Sequence, residues 1–464
     1  MVTNIGCLCP VLVSWKYLDP TKTMLRAKRL VGCLCLVSLV VSVGFVISWR
    51  WAGYFSITLI LLEALAFLFV HYLRREFQWL ITPRDMSPEI DPEGLRSFIQ
   101  HGYDPELGWV RKPSTEKEER RKDGTGKYRI DELGSRSSPG HEGWPQHISL
   151  YGDSFAFGRQ VSDNEVFTWH LSEKTGTHVL NFAVGNYGLD QAILRLKREY
   201  PRYRTPIVVI GVVPSTIVRI LSVWKHYNEY GNTLGFKPRF VMRHGTLELI
   251  RNFVDEDSKF LSYRQYLPEI QRYDPFYEMK FQKDMLCFPY IASIMADPSR
   301  NIPLLALVAW DRWFAASNRQ DAYPMPMSVI MKCNLKLRVQ LFRKNEEAKE
   351  LMRGLVEEFA SYGTQQEFSP VFLWMPQKDD VLYVARHGDY YGKFISYVRE
   401  KMPVIDLTPE ILRRRDLDNM YSDDSRYGGH LSAAGNEWAA EVIYRRMEEE
   451  GILKPLPCIK EEGI

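Results

Sequence analysis

The sequence predicts an α/β fold, a parallel sheet with helices on both faces in three layers, tethered by a transmembrane helical hairpin. Two observations carry the sheet. Five short apolar runs, Ile148 to Tyr151, His178 to Val184, Ile207 to Val213, Pro370 to Met375 and Val404 to Leu407, are each bounded by polar or turn residues. Helical patterns separate them, and that alternation is the signature of βαβ units whose strands are buried on both faces. Right-handed crossovers then give an α/β/α domain. The third observation is a pair of long apolar runs near the N-terminus.

Leu30 to Trp49 carries no charge, and Phe55 to Leu73 carries only Glu63 and His71, so each matches the length that a bilayer core requires. Arg50-Trp51-Ala52-Gly53-Tyr54 is the expected link. Lys16, Lys22, Arg26, Lys28 and Arg29 precede the first run and Arg74 and Arg75 follow the second, whereas the link holds only Arg50. The positive-inside rule therefore puts both ends of the hairpin, and the sheet domain with them, on the cytoplasmic face of the bilayer; if only one run crosses, the side flips. Trp49, Trp51, Tyr54 and Tyr72 stand where interfacial aromatics belong. Glu63 is costly inside an apolar run and is either functional or turned to a partner helix, which leaves a membrane-protein partner open. Seven cysteines without a CxxC pair argue against a disulfide framework and suit a reducing compartment.

Pro83, Pro88 and Pro92 mark a linker after the hairpin. Tyr103 to Trp109 reads as a turn feeding a short strand, Glu116 to Lys127 as a charge-dense solvated loop, and Tyr128 to Gly134 as a strand able to pair with the earlier one. This extension either packs on the sheet edge or reaches the active site. The chain thus parses into a cytoplasmic segment (1–29), the hairpin (30–73), a linker and extension (74–146), the sheet domain (147–450) with an insertion at 224–367, and a tail (451–464). Within the insertion, two alternating runs from Arg239 to Ile250 flank a glycine and predict a β-hairpin. The remainder reads as helical, a lid or a stabilising subdomain, in which Trp310 and Trp313 either stack on a sugar or fill a core.

Chemistry concentrates in three stretches. The first, Ile148 to Gly158, ends a buried strand in Gly152-Asp153-Ser154, which puts a serine at the carboxyl end of a strand, where open α/β sheets form their crevice. The second, Val179 to Gln191, runs a strand into a loop holding Gly185, Asn186 and Gly188. The third, Gly428 to Asn436, sets His430 just before a final amphipathic helix. A serine hydroxyl is a poor nucleophile until a base takes its proton, and His430 is the candidate best placed among ten histidines. The net charge of +3 without a Lys/Arg stripe lends nothing to nucleic-acid binding. No metal-ligand cluster, phosphate loop or dinucleotide glycine fingerprint is present in the sequence, so no cofactor and no metal is expected.

In their order and context the three stretches resemble the SGNH (GDSL-type) hydrolase superfamily, over roughly Gln146 to Met447. The resemblance implies a flavodoxin-like three-layer domain in which Ser154 is the nucleophile and His430 the base. It also implies an oxyanion site built from the Ser154 N–H, a backbone N–H of the second block, here at Asn186 with Gly188 beside it, and an asparagine side chain after the third strand. That asparagine is absent; Ser215 stands nearest, and Asn228 and Asn232 follow. The family's acid, three residues before the histidine, is replaced by Tyr427, which leaves Asp424, Asp423 or a dyad without an acid, with Asp424 preferred. The expected function is a membrane-anchored serine esterase or acyl-ester hydrolase, or an acyltransferase using the same serine, acting at the lipid bilayer on a carbohydrate or lipid ester. The alternative is a degenerate SGNH domain that binds a glycan or lipid or scaffolds a membrane assembly.

Overall fold

The computed structural model describes residues 20–46, 48–77, 79–314, 324–423 and 429–453. The chain divides into two compact units: one comprises 1–91, 224–235 and 258–330, the other 92–223, 236–257 and 331–464. The inserted region is therefore shared between them rather than forming one block.

The first unit is helical. Pro20–Val46 and Trp49–Glu76 are long helices packed on each other, the second beginning directly after Ser48. Arg50 to Tyr54, expected as the link, instead lie in the first turns of the second helix, because the Ser48 hydroxyl caps it by accepting from Trp51 N–H at 3.4 Å. This shortens the first apolar segment to Leu30–Val46. Among the described residues only Trp49–Arg75 is long and apolar enough to cross a membrane. Its outer face, with Ile57, Ile60, Leu61 and Leu65, is exposed, while Val70 and Leu73 join Leu80, Leu286, Leu304, Leu305 and Val308 in the core of this unit. Glu63 is not left alone in the apolar run: its Oε2 accepts from Ile291 N–H at 3.0 Å and its Oε1 from Tyr290 N–H, capping the helix Tyr290–Ala296. The helix Pro298–Phe314 lies against Trp49–Glu76, and its Trp310, Trp313 and Phe314 are exposed rather than filling a core.

The second unit is built around the sheet. Its strands, in chain order, are β1 (Tyr103–Asp104), β2 (Gly108–Trp109), β3 (Glu116–Arg121), β4 (Gly124–Arg129), β5 (Ile148–Gly152), β6 (Val179–Asn181), β7 (Ile207–Val212), β8 (Arg239–Arg243), β9 (Thr246–Ile250), β10 (Ser369–Trp374) and β11 (Val404–Asp406). The main sheet has the order β11-β10-β7-β5-β6, all parallel, so each of the five predicted strands is present. Numbered among themselves the strands run 2-1-3-4-5, and the order reverses between β5 and β7, the switch point at which open α/β sheets bind ligands.

Period-two alternation divides the side chains between faces. Ile148, Leu150, Val209, Val371 and Leu373 pack towards the helices Phe167–Thr175 and Ala433–Glu449; the opposite face is covered by Leu189–Glu199 and Glu346–Gln366. Each buried leucine or isoleucine there contributes about 1.5–3 kcal/mol. The Arg239 to Ile250 hairpin forms as expected, with His244 (φ 50°) and Gly245 (φ 77°) in the paired left-handed conformations that a tight hairpin turn demands.

Glu116 to Lys127 departs from the expected loop. It forms the antiparallel hairpin β3–β4, turning at Lys122-Asp123. Its anchors are tertiary: Glu119, in the middle of β3, is buried against Arg159, Arg121 pairs with Glu165, and Tyr128 of β4 enters the core against Phe157.

Candidate active site

Ser154 follows β5 directly and is 4% exposed. The turn that presents it depends on two neighbours. Gly152 sits at φ 152° where a Cβ would fall 1.9 Å from the Gly211 carbonyl oxygen, so only glycine lets β5 and β7 close up here. Asp153 is fully buried and acts as a clamp. One oxygen accepts from Phe155 N–H at 2.8 Å; the other accepts from Val213 N–H and from Arg219 Nη1, both at 2.9 Å. Through Asp153 the serine turn is tied to the end of β7 across the switch point.

The second block supplies backbone donors. Asn186 adopts φ 66°, a left-handed conformation that asparagine tolerates better than most residues. Neither its N–H nor that of Ser154 donates to a protein acceptor among the described residues. Gly185 is the glycine that abuts the serine: a Cβ built on it would lie 3.9 Å from Ser154 Cβ. Gly188 begins the helix Leu189–Glu199 and packs against Ile220. Ser215 opens the helical turn Thr216–Arg219 beyond β7, and its hydroxyl is buried without a hydrogen-bond partner among the described residues. Asn228 and Asn232 belong to the helical unit.

His430 is half-buried, with its ring 5.0 Å from that of Phe155, the residue after the serine. No hydrogen bond joins it to Ser154 among the described residues, and such bonds commonly tighten only when substrate binds. Asp424 and Tyr427 lie outside the described residues. The atom at His430 Nδ1 is Gln160 Oε1, at 2.7 Å.

Gln160 was not singled out in the sequence. It sits at φ 68°, held by a hydrogen bond from its own N–H to Glu119 Oε2 at 3.2 Å. Its amide cannot be turned round. Nε2 donates to the Arg120 carbonyl at 3.0 Å, while Oε1 accepts from Ser422 Oγ at 2.7 Å and from His430 N–H at 3.1 Å. Reversing it would set donor against donor at His430 N–H and acceptor against acceptor at Arg120. Because Oε1 accepts only, Nδ1 carries the proton and Nε2 keeps its lone pair, the tautomer a general base requires. The N-terminal extension therefore reaches the active site, through Glu119 and Arg120 on β3.

Arg111, Arg159 and Arg219 surround this crevice, and none of them was read as a site residue in the sequence. Burial first, and then these three guanidiniums, hold the His430 imidazole well below the ordinary histidine range. Such an environment favours the neutral imidazole.

Against known proteins, no protein-family model and no curated protein matches the chain. Among solved structures it is similar to a lipase/acylhydrolase from Enterococcus faecalis (13% identity, 68% of this chain and 100% of that one, TM-score 0.30). It is also similar to the acetyl xylan esterase AlAXEase (10%, 65% and 98%, TM-score 0.30) and to a GDSL-like lipase from Bacteroides thetaiotaomicron (8%, 66% and 89%, TM-score 0.25). The sheet itself runs 2-1-3-4-5 and all parallel, with the serine at its switch point and the second block beside it.

Proposed function

We propose that this protein is a membrane-anchored serine ester hydrolase, with acyl transfer to a sugar hydroxyl open to the same residues. The observation that carries the reading is the fixed amide of Gln160, which leaves His430 Nε2 unprotonated in the crevice of Ser154. In the first step Ser154 Oγ bonds to the ester carbonyl carbon as its proton passes to His430 Nε2. The N–H groups of Ser154 and Asn186, which donate to no protein acceptor among the described residues, receive the oxyanion. Collapse breaks the ester C–O bond, and the leaving alcohol takes the proton from His430. Water, deprotonated by the same nitrogen, then releases the acid and restores the serine.

A fluorophosphonate probe tests this directly. Purified protein in detergent is expected to be labelled, and Ser154→Ala to remain blank. A folded wild type that takes no label rejects the hydrolase reading in favour of a binding or scaffolding domain.

Anchoring is the second part of the proposal. It is supported by the exposed apolar face of Trp49–Glu76 and by Trp310, Trp313 and Phe314 exposed on the helix beside it. With Pro20–Val46 and Trp49–Glu76 both crossing, the flanking basic residues favour a cytoplasmic sheet unit; with the second crossing alone the side flips. In intact cells, a membrane-impermeant maleimide is expected to reach Asp123→Cys, in a cysteine-free background, only after permeabilisation. Labelling before permeabilisation puts the sheet unit outside and overturns the orientation.

A further inference from the structure

The three guanidiniums at the crevice are not balanced alike. Arg159 Nε donates to both oxygens of Glu119, at 3.0 Å each, and Arg219 pairs with Asp153 at 2.9 Å. Arg111 has no carboxylate within ion-pairing distance among the described residues. Its Nη1 donates to Tyr128 Oη, its Nε is buried without a partner, and its plane lies over Phe157 at 4.0 Å and Tyr128 at 4.7 Å from the ring centroids. A guanidinium has five N–H donors, so most of this one's capacity is unused.

Those donors share the space of the nucleophile. The point where a Gly185 Cβ would stand is 3.8 Å from Arg111 Nη2, 3.8 Å from Arg159 Cδ and 3.9 Å from Ser154 Cβ. Aromatic stacking holds the cation in one orientation, and desolvation burdens it, while Glu119, whose charge reaches it, is ion-paired with Arg159 instead. An arriving anion supplies a counter-charge of its own. The fork of a guanidinium matches the paired oxygens of carboxylate and phosphate.

We propose that Arg111 forms an anion subsite beside Ser154, so that the substrate is an ester bearing a carboxylate or phosphate close to the ester bond. This rests on the ester chemistry assigned to Ser154. Without that chemistry the same residues form an anion-binding site.

The test compares mono-4-nitrophenyl succinate with 4-nitrophenyl butyrate, which differ by a carboxylate in place of a methyl group. The wild type is expected to favour the succinate, and Arg111→Ala to lower the succinate-to-butyrate ratio of kcat/KM by about 10- to 100-fold. Arg111→Lys is expected to recover part of the ratio, and it reads the same quantity if the alanine variant does not fold. A ratio that stays constant overturns the subsite, since a purely structural role depresses both esters together. A matched ester carrying phosphate, offered in solution or in phosphatidylglycerol vesicles, separates a soluble acid from a lipid headgroup; a preference for either supports the proposal. If the wild type turns over neither ester, the hydrolase reading fails and inorganic phosphate decides the subsite. In Ser154→Ala, phosphate is expected to raise the melting midpoint, and the added Arg111→Ala change to abolish the rise. No rise in Ser154→Ala overturns the anion subsite.

Discussion

Replacing Ser154 or His430 by alanine is expected to lower kcat by about 10⁴–10⁶-fold, with the double variant falling no further than the worse single one. Nucleophile and base form one unit: a serine without a proton acceptor attacks no faster than water, and an acceptor without the serine has nothing to activate. In the proposed mechanism the residual rate comes from the backbone donors at Ser154 and Asn186, which both substitutions leave in place. Steady-state kinetics on an activated ester check this. Additive losses in the double variant would show that the two side chains act separately and would remove His430 from the mechanism. The pH profile follows from the same site. His430 works as a base only when neutral, and burial with Arg159, Arg219 and Arg111 lowers its pKa. The acid limb of kcat/KM is therefore expected below about 6.5, the ordinary histidine value, and the rate to hold level from pH 7 down to that limb.

Gln160 is the second large effect. Gln160→Ala removes the acceptor at Nδ1, frees the ring to rotate and allows the proton to move to Nε2, where it blocks the attack. A loss of about 10²–10⁴-fold in kcat is expected, in line with the cost of a wrong tautomer in serine enzymes. Gln160→Glu keeps the acceptor but adds charge. It is expected to retain far more activity than the alanine variant and to move the acid limb to higher pH, because a carboxylate at Nδ1 favours the imidazolium. The two variants together separate orientation from packing. A Gln160→Glu enzyme whose pH profile matches the wild type would show that the side chain does not govern the histidine.

The five strands of the main sheet were legible because strands buried on both faces read as uninterrupted apolar runs, as Ile207 to Val212 does. The Arg239 to Ile250 hairpin was legible because its turn residues announce themselves. The β3–β4 hairpin was hidden, since Glu-Lys-Glu-Glu-Arg-Arg carries no apolar alternation and its partners are distant in the chain: Arg159 for Glu119, Glu165 for Arg121 and Phe157 for Tyr128. Gln160 was hidden for a related reason. A neutral amide six positions after the serine has no motif of its own, and its role arises only where Arg120, Ser422 and His430 converge. Arg111 lies in a stretch with nothing but a short strand signal, and its importance depends on forming no ion pair among the described residues, which no local pattern reveals. The turn at Ser48 was missed because length and charge locate an apolar segment better than they locate its cap.

The interleaving of the two units has a practical side for anyone wishing to produce this protein without detergent. Val70, Leu73 and Phe77, the last turns of the apolar helix and the residue beyond it, are buried in the same core as Leu286, Leu304 and Val308, hundreds of residues downstream. Cutting the chain after Glu76 would remove two of those three and uncover the rest, so the apolar helix is a keystone rather than a detachable leader. A water-soluble version is better sought by recolouring the outer face, at Ile57, Ile60, Leu61 and Leu65, and keeping the inner one.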